Sequence, residues 1–150
     1  MKKLFLTIPA VLLSLSIAVA TASAHCEIPC GIYDDKLRTQ LIAEHAGTIE
    51  KSMQQIMALG KADPVNYNQL ARWVSNKETH ATEIQHIVSQ YFMTQRIKPD
   101  QPKYSAKLTV LHKMLIAAMK CKQTTDPAHV NDLRKYLAEF EALYFGASHN

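Results

Sequence analysis

Apolar and polar residues alternate along most of this chain with the three- and four-residue spacing that is typical of amphipathic helices. Four such stretches follow one another after residue 34, and the strict alternation of a half-buried strand is missing from all of them. The repeating positions are Leu37, Leu41, Thr48, Ile49, Met53, Ile56 and Met57; then Leu70, Trp73, Val74, Ala81, Ile84, Val88, Tyr91 and Phe92; then Leu108, Leu111, Leu115, Ala118 and Met119; then Val130, Leu133, Leu137, Phe140 and Tyr144. The pattern predicts an all-α protein.

Capping residues, proline and glycine separate the four predicted helices from one another. The boundary residues, in chain order, are Asp34 or Asp35, Gly60, Asn66, the loop at 98–102, Ser105, Thr125-Asp126-Pro127 and Gly146. The connections between the helices are short, and short connections place successive helices side by side in opposite directions. We therefore expect an antiparallel, up-down four-helix bundle.

Sulfur-containing and histidine side chains of the predicted helices fit ordinary structural positions. Cys121 is expected to be a small buried apolar residue, and the methionines are expected to pack in the core. The methionines concerned are Met53, Met57, Met114 and Met119. Each histidine after His25, taken singly, is expected to lie at the surface or as a satisfied core residue. The sequence has a single Glu-x-x-His motif, at Glu83-Ile84-Gln85-His86, whereas a di-iron bundle needs one on each of two helices, which weighs against that class.

The first 24 residues have the three parts of a secretory signal peptide. Met1-Lys2-Lys3 is basic, the next 17 residues to Ala20 are mostly apolar, and Ala22-Ser23-Ala24 is a small-residue cleavage site. A membrane anchor is the alternative, but the apolar run is at the short limit for spanning a bilayer. We expect a Sec-type leader that signal peptidase removes, and a mature protein in the periplasm or outside the cell.

The charge of the mature chain argues against some partners. Loss of Lys2 and Lys3 lowers the formal net charge from +4 to +2. The sequence contains no basic block and no interleaved aromatic pattern, so nucleic acid is not an expected partner. No second apolar run is long enough to cross a membrane, so we expect no membrane contact after processing.

Three cysteines are an odd number for an exported protein. Cys26 and Cys30 lie close together, whereas Cys121 is far away in the sequence. Either Cys26 and Cys30 form a disulfide and leave one thiol over, or they have a different task. A bundle of this length can bury a core without disulfides, so they are not needed to hold the fold together.

Cleavage after Ala24 would make His25 the first residue and would give it a free amine. That amine and the backbone nitrogen of Cys26 can close one chelate ring on a metal, and the Cys26 sulfur closes a second. Cys30 can return across a turn at Pro29 to supply another thiolate, which leaves the His25 imidazole free above the plane. Planar nitrogen and sulfur ligands suit Ni(II) or Cu(II) and do not suit Zn(II). They also donate electron density, which makes a higher oxidation state of the metal accessible.

The segment His25-Cys26-Glu27-Ile28-Pro29-Cys30-Gly31-Ile32-Tyr33 resembles the H-C-x-x-P-C-G-x-Y hook of the nickel superoxide dismutase family. The resemblance implies that one nickel ion per subunit is held by His25, Cys26 and Cys30. It implies a turn at Pro29 with a cis peptide bond, and a catalytic Tyr33 above the open face. It further implies a four-helix subunit in a homohexamer, and conversion of superoxide to O2 and H2O2 by Ni(II)/Ni(III) cycling.

The expected organisation is a cleaved leader at 1–24, a nickel hook at 25–33 and a four-helix bundle at 34–150. In the actinobacterial members of the family a short pro-segment covers the hook, whereas here the signal peptide would do so. Two alternatives to the enzyme remain open. The chain could be an exported nickel or copper carrier that uses the same hook, or a bundle with a Cys26–Cys30 disulfide and no catalysis.

Overall fold

The computed structural model of this chain describes residues 34–146, and these residues form the four predicted helices. Helix α1 spans Asp35–Leu59, α2 spans Tyr67–His86, α3 spans Tyr104–Gln123 and α4 spans Ala128–Tyr144. A π-helix, Ile87–Arg96, continues directly from α2. The predicted leader at 1–24 and the hook at 25–33 lie outside the described residues, so these domain boundaries stay predictions.

Side-chain caps determine where the first two helices begin. The Asp34 carboxylate accepts a hydrogen bond from the backbone N–H of Leu37 at 2.8 Å. In the same way, the side-chain oxygen of Asn66 accepts the N–H of Gln69 at 3.1 Å. Each contact satisfies a backbone donor that the first turn of a helix leaves without a partner. Asp34 is thus the cap of α1, and Asp35 is free to make tertiary contacts.

The four helices pack as a closed ring in which each helix contacts the next, and α4 returns to α1. This is the predicted up-down bundle. Aromatic rings fill the interior at one end: the ring centroid of Phe92 lies 4.8 Å from that of Phe140 and 5.7 Å from that of Tyr144. Across residues 34–146, no helix combines the length and the apolarity that crossing a membrane requires.

The buried stripe of each helix is narrower than the apolar pattern predicts. Met53, Met114 and Cys121 are buried as expected, and Cys121 is a free thiol. The same prediction is wrong for Met57 and Met119, which are exposed. Met119 follows the buried Ala118 by one position, and one step along an α-helix turns a side chain by about 100°. The other exposed positions of the predicted pattern are Leu37, near the start of α1, and Val74, one residue past the α2 stripe.

The stretch after α2 is a π-helix and not the regular α-helix that its spacing predicts. The N–H of Ile97 donates to the carbonyl of Phe92 at 2.9 Å, five residues earlier. The hydroxyl of Thr94 donates in the same five-residue register to the carbonyl of Ser89, at 2.8 Å. Helices with this register are rare, and they occur mostly as short inserts at functional sites. The apolar period of the sequence contains no signal for it.

Lys77 occupies a position in the buried stripe of α2, where an apolar residue would be expected, and is 4% exposed. Its ammonium group donates to the carbonyl of Cys121 at 2.6 Å and to the carbonyl of Lys122. These carbonyls belong to the last turn of α3, where an α-helix leaves its acceptors without intrahelical partners. Lys77 therefore caps the C-terminus of α3 from the neighbouring helix.

Candidate functional site

The predicted metal ligands His25, Cys26 and Cys30, and the predicted catalytic Tyr33, all lie outside the described residues. The structure describes instead the end of the bundle from which the hook extends. The chain joins the bundle at the Asp34 cap, one residue after Tyr33. The residue that follows the cap, Asp35, makes the contacts that attach this end of α1 to the rest of the protein.

Asp35 lies at the centre of a cluster of four side chains, which we call the Asp35 anchor: Asp35, Tyr91, Arg96 and Tyr144. The hydroxyls of Tyr91 and Tyr144 donate to the carboxylate at 2.5 and 2.8 Å. Arg96 adds Nε and Nη2 donors at 2.9 and 2.8 Å, in the two-pronged geometry that a guanidinium offers a carboxylate. The side chain of Asp35 is 16% exposed and that of Arg96 is 29% exposed. The anchor is thus a partly buried ion pair with two phenol donors.

The protonation states in the anchor follow from burial and from these hydrogen bonds. Burial acts to raise the pKa of Asp35, but the hydrogen bonds from Arg96, Tyr91 and Tyr144 outweigh it and hold this pKa below its usual value. Burial, together with the hydrogen bond to the carboxylate, raises the pKa of Tyr144 to about 12. The pKa of Tyr91 is raised for the same reasons. At neutral pH the carboxylate is therefore charged and both phenols are donors.

The π-helix explains how Tyr91 and Arg96 reach the same carboxylate. The two residues are five positions apart in the sequence. In an α-helix with 3.6 residues per turn, such residues point about 140° away from each other. Hydrogen bonds of the five-residue π register bring residues five apart onto the same side of the helix. The irregular segment and the anchor are thus one structural feature.

Cationic side chains surround the anchor. The guanidinium of Arg38 lies over the ring of Tyr91 at 4.9 Å, and the ammonium of Lys107 lies over the ring of Tyr144 at 5.3 Å. Lys36 forms an ion pair with Glu141 at 3.2 Å. The positive groups at this end of the bundle create a mild attraction for small anions.

A second polar contact connects α1 with α2. The Nδ1 atoms of His45 and His80 lie 2.8 Å apart, and the two ring centroids are 5.0 Å apart. Burial and the neighbouring charge of His80 lower the pKa of His45, and the carboxylates of Glu83 and Glu44 oppose this shift only in part. Both histidines are half-buried and paired, in agreement with the prediction of satisfied structural histidines.

The thiol of Cys121 is buried, and burial raises its pKa to about 11, which disfavours the thiolate form that binds metals. Within residues 34–146, no group of three or more histidine, cysteine, aspartate or glutamate side chains is arranged to hold a metal ion.

The anchor was not predicted from the sequence. Asp35 was expected only as a possible cap, and Tyr91 and Tyr144 only as members of the apolar stripe. One signal was present, because a buried tyrosine normally needs a partner for its hydroxyl, and two tyrosines in core positions therefore require polar groups nearby. The pairing of His45 with His80 depends on the register between two helices, which the spacing of apolar residues does not determine.

Comparison with known proteins extends the picture to the part of the chain that precedes α1. A family model described as nickel-containing superoxide dismutase matches residues 20–147, a span that includes the hook. A superoxide dismutase (Ni) from Streptomyces coelicolor is 30% identical over 125 residues, which cover 83% of this chain and 88% of the relative. A superoxide dismutase (Ni) from Streptomyces seoulensis is 26% identical over 123 residues, which cover 82% of this chain and 87% of the relative. No solved structure matches.

The four-helix fold, the extent of the family match and the two relatives agree with the resemblance carried by the hook. This chain belongs to the nickel-containing superoxide dismutase family, a family of oxidoreductases that act on superoxide with nickel as cofactor.

Proposed function

We propose that this chain dismutates superoxide at a nickel ion held by the first six residues of its mature form. The activity and the metal follow from the family, and the proposal concerns the residues that bind the metal. The observation that carries it is the hook motif at 25–33, which lies within the matched span at the start of the mature chain. The ligands are His25, Cys26 and Cys30, and Tyr33 is the catalytic residue beside them.

The donor set of the hook fits nickel. The His25 amine, the Cys26 amide nitrogen and the thiolates of Cys26 and Cys30 are two nitrogen and two sulfur donors, which favour planar coordination of Ni(II). When bound, nickel supplies electron exchange by accepting an electron from one superoxide and returning an electron to another. The thiolates lower the potential of the metal to the range that this exchange needs. The His25 imidazole would remain available as a further nitrogen donor.

Tyr33 has a separate role from the ligands. Its phenol holds water and small anions close to the open side of the hook, and its ring keeps larger molecules away. The reduction of superoxide to hydrogen peroxide consumes two protons, and water held by Tyr33 is the route by which they arrive. Substitution of Tyr33 by phenylalanine would leave nickel binding intact and reduce turnover.

Processing and function are coupled in this proposal. The leader at 1–24 directs export, and signal peptidase exposes the amine of His25 when it cleaves after Ala24. One cut therefore both releases the protein into the periplasm or the medium and completes the ligand set. Mass spectrometry of the exported protein tests this step, since a mature N-terminus at any residue other than His25 contradicts it.

We further propose that the subunits assemble as a homohexamer in which the hook packs against neighbouring subunits. The exposed side chains of Leu37 and Phe145 support this, because they offer apolar surface at the end of the bundle that carries the hook. Tyr144, next to Phe145, contacts Asp35, so these surfaces lie near the start of α1. Sedimentation equilibrium of the nickel-loaded protein would show six subunits. A monomeric enzyme with full turnover would contradict the assembly.

The decisive experiment uses the mature chain of residues 25–150 with a true His25 N-terminus, reduced and loaded with nickel. Fast superoxide turnover that disappears when nickel is removed is the expected result. Tight nickel or copper binding without turnover would overturn the proposal in favour of a carrier. No metal binding, together with a mass two hydrogens below that of the reduced chain, would indicate a Cys26–Cys30 disulfide.

A further inference from the structure

We propose that Asp35 is a positioning residue for the nickel hook: the Asp35 anchor fixes the direction and place from which the hook leaves the bundle. The inference rests on the proposed function, because it assumes that the metal is held at 25–30. It adds a role for four side chains of the bundle that the ligand motif does not contain. Three of them, Tyr91, Arg96 and Tyr144, come from parts of the chain far from the hook.

The first support is the distance along the chain. Asp35 follows Tyr33 by two residues and Cys30 by five. An extended chain advances by at most about 3.6 Å per residue, so the Cα atom of Tyr33 is within about 7 Å of that of Asp35. A displacement of Asp35 therefore occurs within this distance of Tyr33. Among residues 34–146, Asp35 is the tertiary contact at the start of the described chain.

The second support is the strength of the attachment. A helix cap such as Asp34 holds only its own first turn, and a first turn by itself can fray. Asp35 is held instead by Tyr91 and Arg96 of the π-helix and by Tyr144 of α4. Charge-assisted hydrogen bonds are stronger than neutral ones, and partial burial protects them from water. Two separate elements thus fix the first turn of α1.

The third support is the π-helix. A ten-residue π segment is unusual, since such helices are rare and mostly a single turn long. The five-residue register is what brings Tyr91 and Arg96 onto the same carboxylate. An ordinary α-helix would have satisfied the backbone equally well, but it would have turned one of the two side chains away from Asp35. The fold thus retains an irregular helix and with it a rigid anchor beside the hook.

The chemistry of the site needs such a support. His25 would help to hold the nickel ion and Tyr33 would act beside it, so the electron exchange that nickel would supply depends on how these two residues are placed. A misplacement of about 1 Å in a catalytic group can reduce a rate by about a hundredfold. The place where the hook joins the bundle is one point at which the bundle can act on the position of these groups, and Asp35 lies at that place.

The test compares Asp35→Asn with Glu50→Gln in the nickel-loaded mature chain. Both substitutions neutralise a carboxylate of α1 that pairs with an arginine of another element, Arg96 in one case and Arg134 in the other. Nη2 of Arg134 lies 2.7 Å from Oε2 of Glu50, so both substitutions remove a close contact between an arginine and a carboxylate. Glu50 lies 15 residues further along α1, which is about 22 Å from Asp35. It is therefore a matched control that is remote from the hook.

We expect Asp35→Asn to bind one nickel per subunit but to turn over about tenfold more slowly or worse. The electron paramagnetic resonance spectrum of the oxidised, nickel-loaded enzyme should also change, because the residues that would hold nickel would be placed less uniformly. Glu50→Gln should leave both the turnover and the spectrum unchanged. If the two variants have the same turnover and the same spectrum, the anchor does not position the hook.

A nickel-free measurement separates this inference from the proposed function. Amide hydrogen exchange of residues 25–38 should be faster in Asp35→Asn than in the unaltered chain or in Glu50→Gln. Equal exchange in all three would overturn the anchor even if the enzyme is active. Conversely, an unaltered chain without turnover would refute the proposed function while leaving this comparison valid. Tyr144→Phe removes a single hydrogen-bond donor from the anchor. If Asp35→Asn failed to fold, this variant would replace it, and an intermediate change in turnover and in hydrogen exchange would be expected.

Discussion

The Nδ1 atoms of His45 and His80 lie 2.8 Å apart across the contact between α1 and α2. At this distance one ring donates its N–H and the other accepts with its lone pair. Only one hydrogen can lie between the two nitrogens, so the contact cannot persist when both rings carry a full complement of protons. The nearby carboxylates of Glu44 and Glu83 favour protonation, but burial and the mutual repulsion of the two rings outweigh them at His45.

This pairing predicts that the stability of the bundle decreases in weak acid. The pKa of His45 in the folded protein is below its ordinary value of 6.5. Between those two values the unfolded chain binds a proton that the folded chain does not, so the free energy of unfolding falls as the pH falls. The contribution of neutral His45 to the free energy of unfolding is complete above pH 6.5 and is lost as the pH falls below that value. Urea titrations of the nickel-free, reduced mature chain at about pH 8 and about pH 5.5 would measure the difference.

Two histidine variants serve to assign the effect. His45→Asn removes the titrating ring and should flatten the dependence of stability on pH over this range. His112 is exposed on α3, and His112→Asn should leave the dependence as it is in the unaltered chain. If His45→Asn retains the whole slope, other groups are responsible for it.

We expect substitution of Lys77 to lower the stability of the bundle strongly without changing the nickel hook. Lys77→Met keeps the length of the side chain but removes the ammonium, which leaves the carbonyls of Cys121 and Lys122 without this donor. Loss of a charged hydrogen-bond donor to buried carbonyls should lower the free energy of unfolding by about 2 kcal/mol. Thermal and urea unfolding would report it. Lys120→Met is the matched control on α3: Lys120 is exposed, so its loss should change stability by less than about 0.5 kcal/mol.

The fold could be predicted from the sequence because the rules involved are local. The capping residue Asp34, the stop at Gly60 and the start at Asn66 all agree with the structure. The errors also have a local origin. The apolar pattern predicts that Met57 and Met119 are buried, but a helix in a bundle buries only part of its surface, and both side chains are exposed. The π register was missed because it changes the backbone without changing the apolar pattern.

The candidate site also has one part that follows from local sequence and one part that does not. The hook stays a prediction from the sequence. Its chemistry depends on residues within a short segment, so a chelating set in His25, Cys26 and Cys30 can be inferred without any tertiary contact. The anchor could not be predicted, because it joins residues 61 and 109 positions apart: Asp35 with Arg96, and Asp35 with Tyr144. Such contacts depend on how the helices are placed against one another, and an acidic residue near a helix start is equally well explained as a cap.

If Cys26 and Cys30 are ligands, as proposed, substitution of either by serine should abolish turnover. In Cys26→Ser or Cys30→Ser a hard oxygen replaces a soft sulfur, and an alcohol does not ionise at neutral pH as a metal-bound thiol does. Without both thiolates, the bound metal would not be brought into the range of potential in which electrons are exchanged with superoxide. Stopped-flow measurement of superoxide decay checks this. Full turnover in either variant would refute the ligand assignment.

The third cysteine provides the control for these variants. Cys121 is fully buried, and Cys121→Ala deletes one buried sulfur atom, so a cost of about 1 kcal/mol in stability is expected from the cavity. Turnover per bound nickel should not change. A loss of activity in Cys121→Ala equal to that of the serine variants would mean that cysteine substitution damages the enzyme through folding.

The free amine of His25 leads to a prediction that separates this hook from every site built of side chains alone. A single glycine added before His25 leaves all side chains in place but converts the amine into a peptide nitrogen, which must lose a proton before it can bind the metal. The extended chain would lack one of the proposed nitrogen donors, so turnover should be lost although the thiolates remain. Superoxide decay and nickel content of the extended protein, beside a matched protein with one glycine added after Asn150, would measure this. Near-normal turnover of the N-terminally extended protein would show that the amine is not a ligand, and the coordination would then have to be built from the imidazole and the thiolates.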